Sequence, residues 1–224
     1  MGVVMSIIVI EGLDGSGKGT QYKLLVESLK QMGKEVCEVD FPDYNSNSSA
    51  LVKMYLGGEF GKDPKDVNPY AACSFYAVDR VASYLKNWKK DYDAEKIIIA
   101  NRYISSNIVY QMSKVKDENW DEFIDWVCDL ECEKFGLPQA DLVIYLDVPV
   151  EISQKLMTGR YKGDENKKDI HESDINFLKE CRKSAMFAAK KLSWEVLTCV
   201  ENGKIKSIET ISNEILEIVK GKKL

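Results

Sequence analysis

Long apolar runs are missing from this 224-residue sequence, and so are the features of an N-terminal export signal. The stretch from Val3 to Ile10 is its first apolar run, far shorter than the roughly 20 residues that a membrane-spanning helix needs. No lipid-attachment motif is present either. We therefore expect a soluble, cytoplasmic protein that does not associate with membranes.

Positive charge is also scarce. Lys and Arg number 31 against 36 Asp and Glu, so the net charge is −5 and the isoelectric point is about 5.2. No basic stripe offsets this balance, which argues against a protein that binds nucleic acid.

The cysteines follow no metal-binding or disulfide pattern. Cys128 and Cys132 share one face of a predicted helix, but no further Cys or His lies nearby to complete a set of ligands. We expect buried thiols in a reducing compartment, at positions 37, 73, 128, 132, 181 and 199.

Apolar residues, by contrast, make up 45% of the chain, enough for a sizeable core, and the length fits one α/β domain over residues 1–224. Five apolar runs predict strands at 6–10, 35–39, 96–100, 142–147 and 194–200. Helical patterns separate or follow them at 21–32, 48–56, 69–90, 104–114, 119–134, 151–160, 174–192 and 208–219. This alternation predicts a parallel sheet covered by helices on both faces, with ligands bound beyond the carboxyl ends of the strands.

A P-loop motif stands between the first predicted strand and the first predicted helix, which is the context that it needs. In such a loop the backbone N–H groups surround a polyphosphate, the helix N-terminus adds partial positive charge, and Lys18 adds a full one. A merely tight connection is the alternative, and the position of Lys18 argues against it. The sequence predicts a nucleoside triphosphate site formed by Gly12, Leu13, Asp14, Gly15, Ser16, Gly17, Lys18, Gly19 and Thr20.

Gly19 departs from most P-loops, which place Ser or Thr there to reach Mg²⁺. Thr20 is the next hydroxyl and can assist. Otherwise waters, phosphates and distant carboxylates must hold the metal, which Mg²⁺ tolerates because it keeps several waters. The Gly-Lys-Gly-Thr form is also similar to that of adenylate kinases, which points to a kinase of small molecules.

Two arginines lie beside aromatic residues where they add little to the stability of an acidic protein. Arg80 lies on the long helix predicted from Pro69, and Arg102 follows the third strand. A solvated charge is the ordinary alternative for each. Together with their aromatic neighbours they suit an anionic ligand that carries a flat ring.

The segment 160–169 is polar and charged between two predicted helices, which fits either a mobile lid over 160–172 or a plain solvated loop.

Six segments together resemble the thymidylate kinase family over nearly the whole chain. They are Ile10–Thr20, Phe41–Tyr44, Tyr55–Gly61, Tyr76–Arg80, Asn101–Gln111 and Asp141–Asp147. The resemblance implies a five-stranded parallel sheet of order 2-3-1-4-5 and a homodimer. It also implies direct in-line transfer of the ATP γ-phosphoryl group to dTMP with Mg²⁺, which supports dTTP synthesis. Another nucleoside monophosphate kinase or a deoxynucleoside kinase is the alternative.

The resemblance also implies roles for individual residues, each with a core aromatic or surface charge as the alternative. Lys18, Arg102 and Arg160 correspond to catalytic positions, and Asp14, Thr20 and Glu172 to positions near the metal. On the acceptor side, Asp14 corresponds to a contact to the sugar 3′-hydroxyl, Arg80 to the phosphate clamp, and Tyr76 to the aromatic that stacks on thymine. Asn107 corresponds to a polar contact to the base and Tyr110 to the aromatic that crowds C2′ and disfavours ribose. The remaining acceptor-side positions are Tyr44, Arg102, Ser106 and Gln111.

Three departures from the family pattern bear on the site. Asn101 stands where the family usually has Asp, and Asp43 stands where Arg is frequent. Gly15 stands where some members carry a catalytic Arg. Members without that Arg take the charge from the lid, where Arg160 is the only arginine and where Lys162, Lys167 and Lys168 are supplementary candidates.

Two further interpretations of the sequence are weaker. Residues 166–169 match the Asn-Lys-x-Asp motif of GTP-binding switches, but no predicted strand precedes them, so chance is the better account. A catalytic role for His171 is not needed, because phosphoryl transfer requires no histidine base. We expect His171 to be a surface or lid-packing residue.

Overall fold

The computed structural model describes residues 6–160 and 169–222, with the side chain of Arg160 outside that description. Five strands form a parallel sheet in the order β2-β3-β1-β4-β5, as the resemblance implies. They are β1 (Ile7–Gly12), β2 (Val36–Asp40), β3 (Ile97–Asn101), β4 (Leu142–Asp147) and β5 (Glu195–Thr198).

Helices cover both faces of this sheet. They are α1 (Lys18–Gln31), α2 (Ala50–Leu56), α3 (Pro69–Ser83), α4 (Lys89–Asp93), α5 (Ile104–Gln111), α6 (Trp120–Cys128), α7 (Val150–Arg160), α8 (Ile175–Lys191) and α9 (Ile208–Gly221). Short 3₁₀ turns lie at Asn47–Ser49, Pro64–Asp66, Met112–Lys114 and Asp117–Asn119. None of the helices in the described ranges combines the length and apolar character that crossing a membrane requires.

The central strand β1 shows why the sheet forms. Its alternate residues point to opposite faces, so Ile7 and Val9 pack into one core layer while Ile8 and Ile10 pack into the other. All four side chains are buried. β-Branched residues that are apolar on both faces are typical of a parallel strand covered by helices on each side.

Two predicted helices contain π-helical segments where the sequence pattern predicts continuous helix. The first follows α3 at Tyr84–Trp88, and the second follows α6 at Asp129–Lys134. In the second, the N–H of Phe135 donates to the carbonyl of Leu130 at 3.0 Å, five residues back. Such insertions occur frequently at functional sites.

The fifth predicted strand, 194–200, is three residues longer than β5, by one residue at its start and two at its end. After β5 ends at Thr198, Val200–Glu201 (β6) pairs antiparallel with Lys204–Ile205 (β7) in a small hairpin. The intervening Asn202 and Gly203 both have positive φ, +50° and +74°. Asn-Gly is the preferred pair for such a turn, so this signal was present in the sequence.

Strand register brings the predicted site residues to one edge of the sheet. Asn101 on β3 lies opposite Asp40 of β2 on one side and Ile10 of β1 on the other. Gly12 of β1 lies opposite Leu146 of β4. The P-loop, Arg102 and Asp40 therefore meet beyond the carboxyl ends of the strands, as expected for this type of sheet.

Candidate active site

A cavity of about 1330 Å³ opens at this edge. It exceeds the roughly 300–1,000 Å³ of an ordinary small-molecule pocket, so it has room for more than one small ligand. The predicted site residues that line it are Asp14, Gly15, Ser16, Gly17, Lys18, Gly19, Thr20, Tyr44, Tyr76, Arg80, Arg102, Ser106, Asn107, Tyr110, Gln111 and Glu172.

Gly12 and Leu13, which the motif placed at the nucleotide, are not among the residues that line the cavity. Gly12 ends β1 and donates its N–H to Glu11 Oε1 at 2.9 Å. The side chain of Leu13 packs in the core against Tyr145 and Phe177, while its carbonyl oxygen accepts from Lys18 Nζ at 2.9 Å. Both residues shape the loop from beneath, and a direct contact of either with the nucleotide stays a prediction.

The P-loop presents an uncapped helix N-terminus to the cavity. Gly17, the N-cap of α1, has φ +88° and no side chain caps the helix. The first N–H groups of a helix have no intrahelical acceptors, so they remain available to an anion. Lys18 starts this helix and is 7% exposed. Burial, with Arg102 second, lowers the pKa of Lys18 to about 8.

Gly15 has a steric reason to lack the arginine found in some relatives of this loop. Its φ is +78°, and a Cβ placed there would overlap the carbonyl oxygen of Ser153 and approach Met157 Cγ to 2.8 Å. Helix α7 therefore packs directly on the loop backbone at this point. A side chain at position 15 requires α7 to move.

Gly19 differs, because a Cβ at this position meets nothing within 4 Å. Space for a Ser or Thr exists, and the chain leaves it open. Thr20, the next hydroxyl, is exposed and lines the cavity.

Arg102 is the centre of the charged cluster beside the P-loop. It takes a left-handed φ of +66° at the end of β3, and its N–H donates to the carbonyl of Ile10 at 3.1 Å. Its guanidinium donates to Asp14 and lies 3.3 Å from the hydroxyl of Tyr110, which in turn donates to Asp14 Oδ2 at 2.8 Å. Burial opposes ionisation of Asp14, but Arg102 and Lys18 outweigh it and hold the pKa of Asp14 below its ordinary value.

A buried carboxylate lies beneath this cluster. Glu11 accepts from Ser105 Oγ and Ser106 Oγ, both at 2.7 Å, and lies 3.6 Å from the guanidinium of Arg102. Its signal in the sequence was a charged residue at the end of an otherwise apolar strand. Ser106, predicted to face the acceptor, therefore orients Glu11 as well as lining the cavity.

Arg80 lies in a second, separate cluster. It is 2% exposed, and its Nε and Nη2 donate to the two oxygens of Glu131 at 2.6 and 2.7 Å. Asn107 Nδ2 donates to the same Glu131 at 2.7 Å. Glu131 already neutralises the charge of Arg80, and the role of Arg80 as the clamp of a phosphate dianion stays a prediction. Arg102, beside the P-loop, carries the charge suited to that position.

The aromatic residues of the acceptor side differ in how firmly they are held. Tyr76 is half-buried and meets Tyr55 edge-on, with ring centroids 6.4 Å apart. Tyr44 is exposed and lines the cavity mouth. Gln111 is buried on α5, and its Oε1 finds no partner among the atoms described. These side chains surround space that a flat ring can occupy.

A carboxylate that the sequence interpretation missed lies opposite Asn101. Asp40 Oδ1 accepts from Asn101 Nδ2 at 2.8 Å, and both residues line the cavity. A carboxylate therefore stands on the neighbouring strand, beside the position where Asn101 lacks one. Asn101 Oδ1 is buried and has no partner within the described ranges.

The residues predicted near a metal do not form a ready cage. Asp14 is engaged by Arg102 and Tyr110, Thr20 is exposed, and Glu172 lies across the cavity, where it accepts from the N–H of Asp169 at 3.3 Å. In residues 6–160 and 169–222, no group of three or more acidic, His or Cys side chains is arranged to hold a cation.

His171 is a packed residue, which agrees with the second of the two expectations, a surface or a lid-packing position. It is 4% exposed, stacks on Tyr110 with ring centroids 5.5 Å apart, and lies 2.9 Å from the hydroxyl of Tyr55 through Nε2. Burial and then Lys114 lower its pKa from 6.5 to about 3. The imidazole is therefore neutral near pH 7 and holds the ring of Tyr110 in place.

This neutral histidine predicts acid sensitivity. Between pH 6.5 and about 3 the unfolded chain binds a proton at His171 that the native chain does not, so stability falls as the pH drops through this window. At pH 5 the loss is about 2 kcal/mol. We expect His171→Gln, which does not titrate, to reduce the fall in the free energy of unfolding between pH 7 and pH 5. Denaturant titrations of both proteins at each pH measure it, and equal falls contradict the prediction.

The other lid residues are outside what the structure describes. These are the side chain of Arg160 and the whole of Lys162, Lys167 and Lys168, together with most of the 166–169 motif. A catalytic charge from the lid stays a prediction.

Comparison with known proteins adds an independent line of evidence. The family model described as thymidylate kinase matches residues 10–215. A probable thymidylate kinase from Thermococcus onnurineus is 30% identical over 214 residues, which are 95% of this chain and 96% of that protein. Thymidylate kinase from Mycobacterium tuberculosis is 28% identical over 186 residues, 81% of this chain and 84% of that one.

A solved structure supports the fold. The thymidylate kinase of Candida albicans superposes with a TM-score of 0.68 at 21% identity, over 99% of this chain and 93% of that one.

Proposed function

The chain belongs to the thymidylate kinase family, and from this premise we propose that it transfers the γ-phosphoryl group of ATP directly to the phosphate of dTMP, in support of dTTP synthesis. It is a phosphotransferase and a nucleotide-binding protein of that family. What we propose beyond membership of the family is the identity of the phosphoryl donor, ATP, and of the acceptor, dTMP.

One observation carries this proposal: the P-loop and the acceptor-side residues open into the same cavity, with Arg102 and Asp14 between them. Lys18 and the N-terminus of α1 suit the phosphates of the donor. Tyr76 and Asn107 suit a base at the other end. A cavity of about 1330 Å³ accommodates both nucleotides, which direct transfer requires.

Charge neutralisation and positioning are what this chain supplies to the reaction. The transferring phosphoryl group spreads negative charge over its oxygens, and a protein accelerates the step by placing positive groups around it. Lys18 and Arg102 are the positively charged side chains that lie beside Asp14 at the P-loop, in this region of the described site. We expect no covalent enzyme intermediate, since in-line transfer needs none.

Mg²⁺ is the cation that we propose to accompany ATP. It prefers oxygen ligands and retains several waters, so it does not need a protein cage. Asp14, Asp40 and Glu172 line the cavity, and the unpartnered Oδ1 of Asn101 fits a water or ligand of such an ion. Thr20 is the first hydroxyl after Lys18 in the chain. These residues would hold Mg²⁺, which would neutralise part of the charge on the phosphates.

Tyr110 is proposed to select a deoxyribose acceptor. Its ring is stacked on His171 and its hydroxyl donates to Asp14 at 2.8 Å, so it has little freedom to move aside. A rigid ring next to the sugar excludes an additional 2′-hydroxyl. Asp14, held in the same network, is placed to accept from a 3′-hydroxyl.

A panel of acceptors tests the proposal. With ATP and Mg²⁺ in a coupled assay of ADP release, we expect dTMP to be the best acceptor among dTMP, dUMP, dCMP, AMP, UMP and GMP. Faster turnover of AMP or UMP favours the alternative of another monophosphate kinase. Slow hydrolysis of tightly held GTP without any acceptor points instead to a switch protein.

A homodimer is part of the proposal, and α3 offers the surface for it. Among the apolar residues of this helix, Ala72 is buried, Phe75 is half-buried and Val78 is 43% exposed. Leu85, in the π-helical segment that follows, is 65% exposed. We expect Val78→Glu to shift the protein from dimer to monomer, because a charge is costly in an apolar interface.

Sedimentation velocity measures this shift. Met186→Glu is the matched control, since Met186 is 39% exposed on α8, another helix. A dimer that persists in Val78→Glu, or a monomeric parent protein, contradicts the assignment of this surface.

A further inference from the structure

Glu131 is a buried carboxylate for which the phosphoryl-transfer chemistry has no use. It is fully buried in the π-helical segment Asp129–Lys134. Charged residues are seldom fully buried unless they are paired, and here the partners are two residues that line the cavity, Arg80 and Asn107. Glu131 thus bonds to two side chains that face the ligand cavity, and stability alone does not explain why a buried charge has these two partners.

The hydrogen bonds of Glu131 leave no ambiguity about which way the amide of Asn107 points. Glu131 Oε1 accepts from Arg80 Nη2 at 2.7 Å, and Oε2 accepts from Arg80 Nε at 2.6 Å. A guanidinium has no acceptor, so both carboxylate oxygens accept. Asn107 must therefore turn its nitrogen, and not its oxygen, toward Oε1, at 2.7 Å.

The second hydrogen of the same amide nitrogen is also engaged. Asn107 Nδ2 lies 3.2 Å from the carbonyl oxygen of Cys73 on α3. An amide nitrogen has two hydrogens, and both now have acceptors. Only Oδ1 of Asn107 remains for a ligand in the cavity. This position accordingly presents an acceptor and no donor.

Arg80 presents the opposite character. Its Nε and Nη2 are bound by Glu131, and Nη1 has no hydrogen bond within the described part of the chain. Arg80 also lines the cavity. Glu131 thus holds an acceptor on Asn107 and a donor on Arg80 in fixed orientations at the same end of the site.

We propose that Glu131 is a positioning residue that sets the base specificity of the acceptor site, by fixing the Asn107 amide with its oxygen toward the cavity. The proposal rests on the proposed function and deepens it. Thymine and uracil carry a hydrogen on N3 and a carbonyl at C4, which match this acceptor and this donor. Cytosine has a lone pair on N3 and an amino group at C4. Its N3 acceptor therefore meets the acceptor oxygen of Asn107, and its amino group meets the N–H donors of Arg80. A buried polar group left unpaired in this way gives strong discrimination.

A purely stabilising ion pair is the competing explanation, and the geometry weakens it. Buried ion pairs contribute little net stability compared with apolar residues of similar volume. A pair kept for stability also needs no third partner that lines a ligand cavity. The π-helical segment, which places Glu131 within reach of α3 and α5 together, is a feature frequent at functional sites.

Glu131→Gln is the decisive variant. The introduced amide has one oxygen for three donors. With its NH₂ group at the Oε1 position, the Asn107 side chain has to turn over, with nitrogen toward the cavity. With that group at the Oε2 position, Arg80 Nε loses its acceptor and the guanidinium loses its fixed orientation, so either arrangement disturbs one member of the acceptor–donor pair. We expect the kcat/KM ratio of dTMP to dCMP to fall at least tenfold. The ratio of dTMP to dUMP should stay unchanged, because both bases carry the same N3–H, and KM for ATP should not move.

Asn107→Asp provides a second measurement that leaves the Arg80–Glu131 pair intact. The introduced carboxyl group takes the place of an amide nitrogen that lies 2.7 Å from Glu131 Oε1, and two carboxyl groups this close share one proton. When the introduced group is the protonated one, it can still turn its carbonyl oxygen to the base. The shared proton is lost as the pH rises from 5 to 8, so we expect kcat/KM of this variant for dTMP, relative to that of the parent protein, to fall over this range. If Glu131 does not contact residue 107, this relative kcat/KM does not fall.

The outcomes separate the two proposals. If the parent protein does not prefer dTMP, the proposed function fails. If the parent protein prefers dTMP to dCMP but Glu131→Gln lowers kcat/KM for dTMP, dUMP and dCMP by one common factor, the positioning role of Glu131 is overturned. If Glu131→Gln does not fold, an Asn107→Asp profile parallel to that of the parent protein overturns it instead.

Discussion

Replacing Lys18 with alanine is expected to lower kcat about a hundredfold, which corresponds to about 3 kcal/mol of transition-state stabilisation. Lys18 is nearly buried at the start of α1, and its ammonium lies 2.9 Å from the Leu13 carbonyl and 3.7 Å from Asp14. Its ammonium carries charge into the cavity and also bonds to the loop backbone at Leu13. The same carbonyl of Leu13 accepts from the N–H of Ser16 at 3.1 Å, so the loop keeps this bond in the variant, which should fold.

Coupled assays of ADP release measure the effect, with Lys30→Ala as the control. Lys30 is on the same helix but is exposed and pairs with Glu38 at 2.6 Å, so its loss should leave kcat unchanged. The pKa of Lys18, about 8 in the free protein, adds a second readout. Affinity for ATP in the parent protein should weaken as the pH rises through 8 and the charge is lost, and Lys18→Ala should lack this dependence. Near-normal turnover in Lys18→Ala excludes the P-loop assignment.

Replacing Arg102 is expected to be still more damaging. Arg102→Ala removes a positive group from the region of the transferring phosphoryl, deprives Glu11 of its guanidinium partner and leaves Asp14 with Lys18 alone, at 3.7 Å. We expect kcat/KM for dTMP to fall about a thousandfold, or about 4 kcal/mol. Arg102→Lys should recover little, because a single ammonium cannot reach Asp14 and the phosphate together.

Arg182→Ala is the matched control for this loss. Arg182 makes a comparable bidentate pair with Asp147, at 2.7 and 2.8 Å, but it does not line the cavity. Steady-state kinetics and thermal unfolding of all three variants separate chemistry from folding. If Arg182→Ala and Arg102→Ala lose equal activity, or if Arg102→Lys is nearly normal, the central role of Arg102 is wrong.

Local patterns predicted the fold well because local physics determines it. The β-branched run of β1 must be buried on both faces, and the glycine spacing before Lys18 suits a polyphosphate. The family that the chain resembles is confirmed, and so is the strand order that this resemblance, rather than any local pattern, implies. What failed locally was the end of β5, where the Asn202-Gly203 turn was overlooked.

Contacts between side chains that lie far apart in the chain could not be predicted from the sequence. Whether the guanidinium of Arg80 is available to a ligand depends on its ion pair with Glu131, 51 positions away. The sequence does indicate that Glu131 is buried, because Phe123, Val127 and Glu131 follow one another at intervals of four residues and so share one face of a helix. Likewise, nothing near His171 in the chain indicates that Tyr55 and Tyr110 enclose it. Such partners come together only in the folded chain.

The contact between Gly15 and helix α7 restricts how this loop can evolve. A single change to Arg at position 15, the residue found in some relatives, meets the backbone of Ser153 as well as Met157 and a left-handed φ of +78°. Trimming Met157 alone does not relieve the backbone contact. In this chain the loop and the helix therefore have to change together before position 15 can carry an arginine.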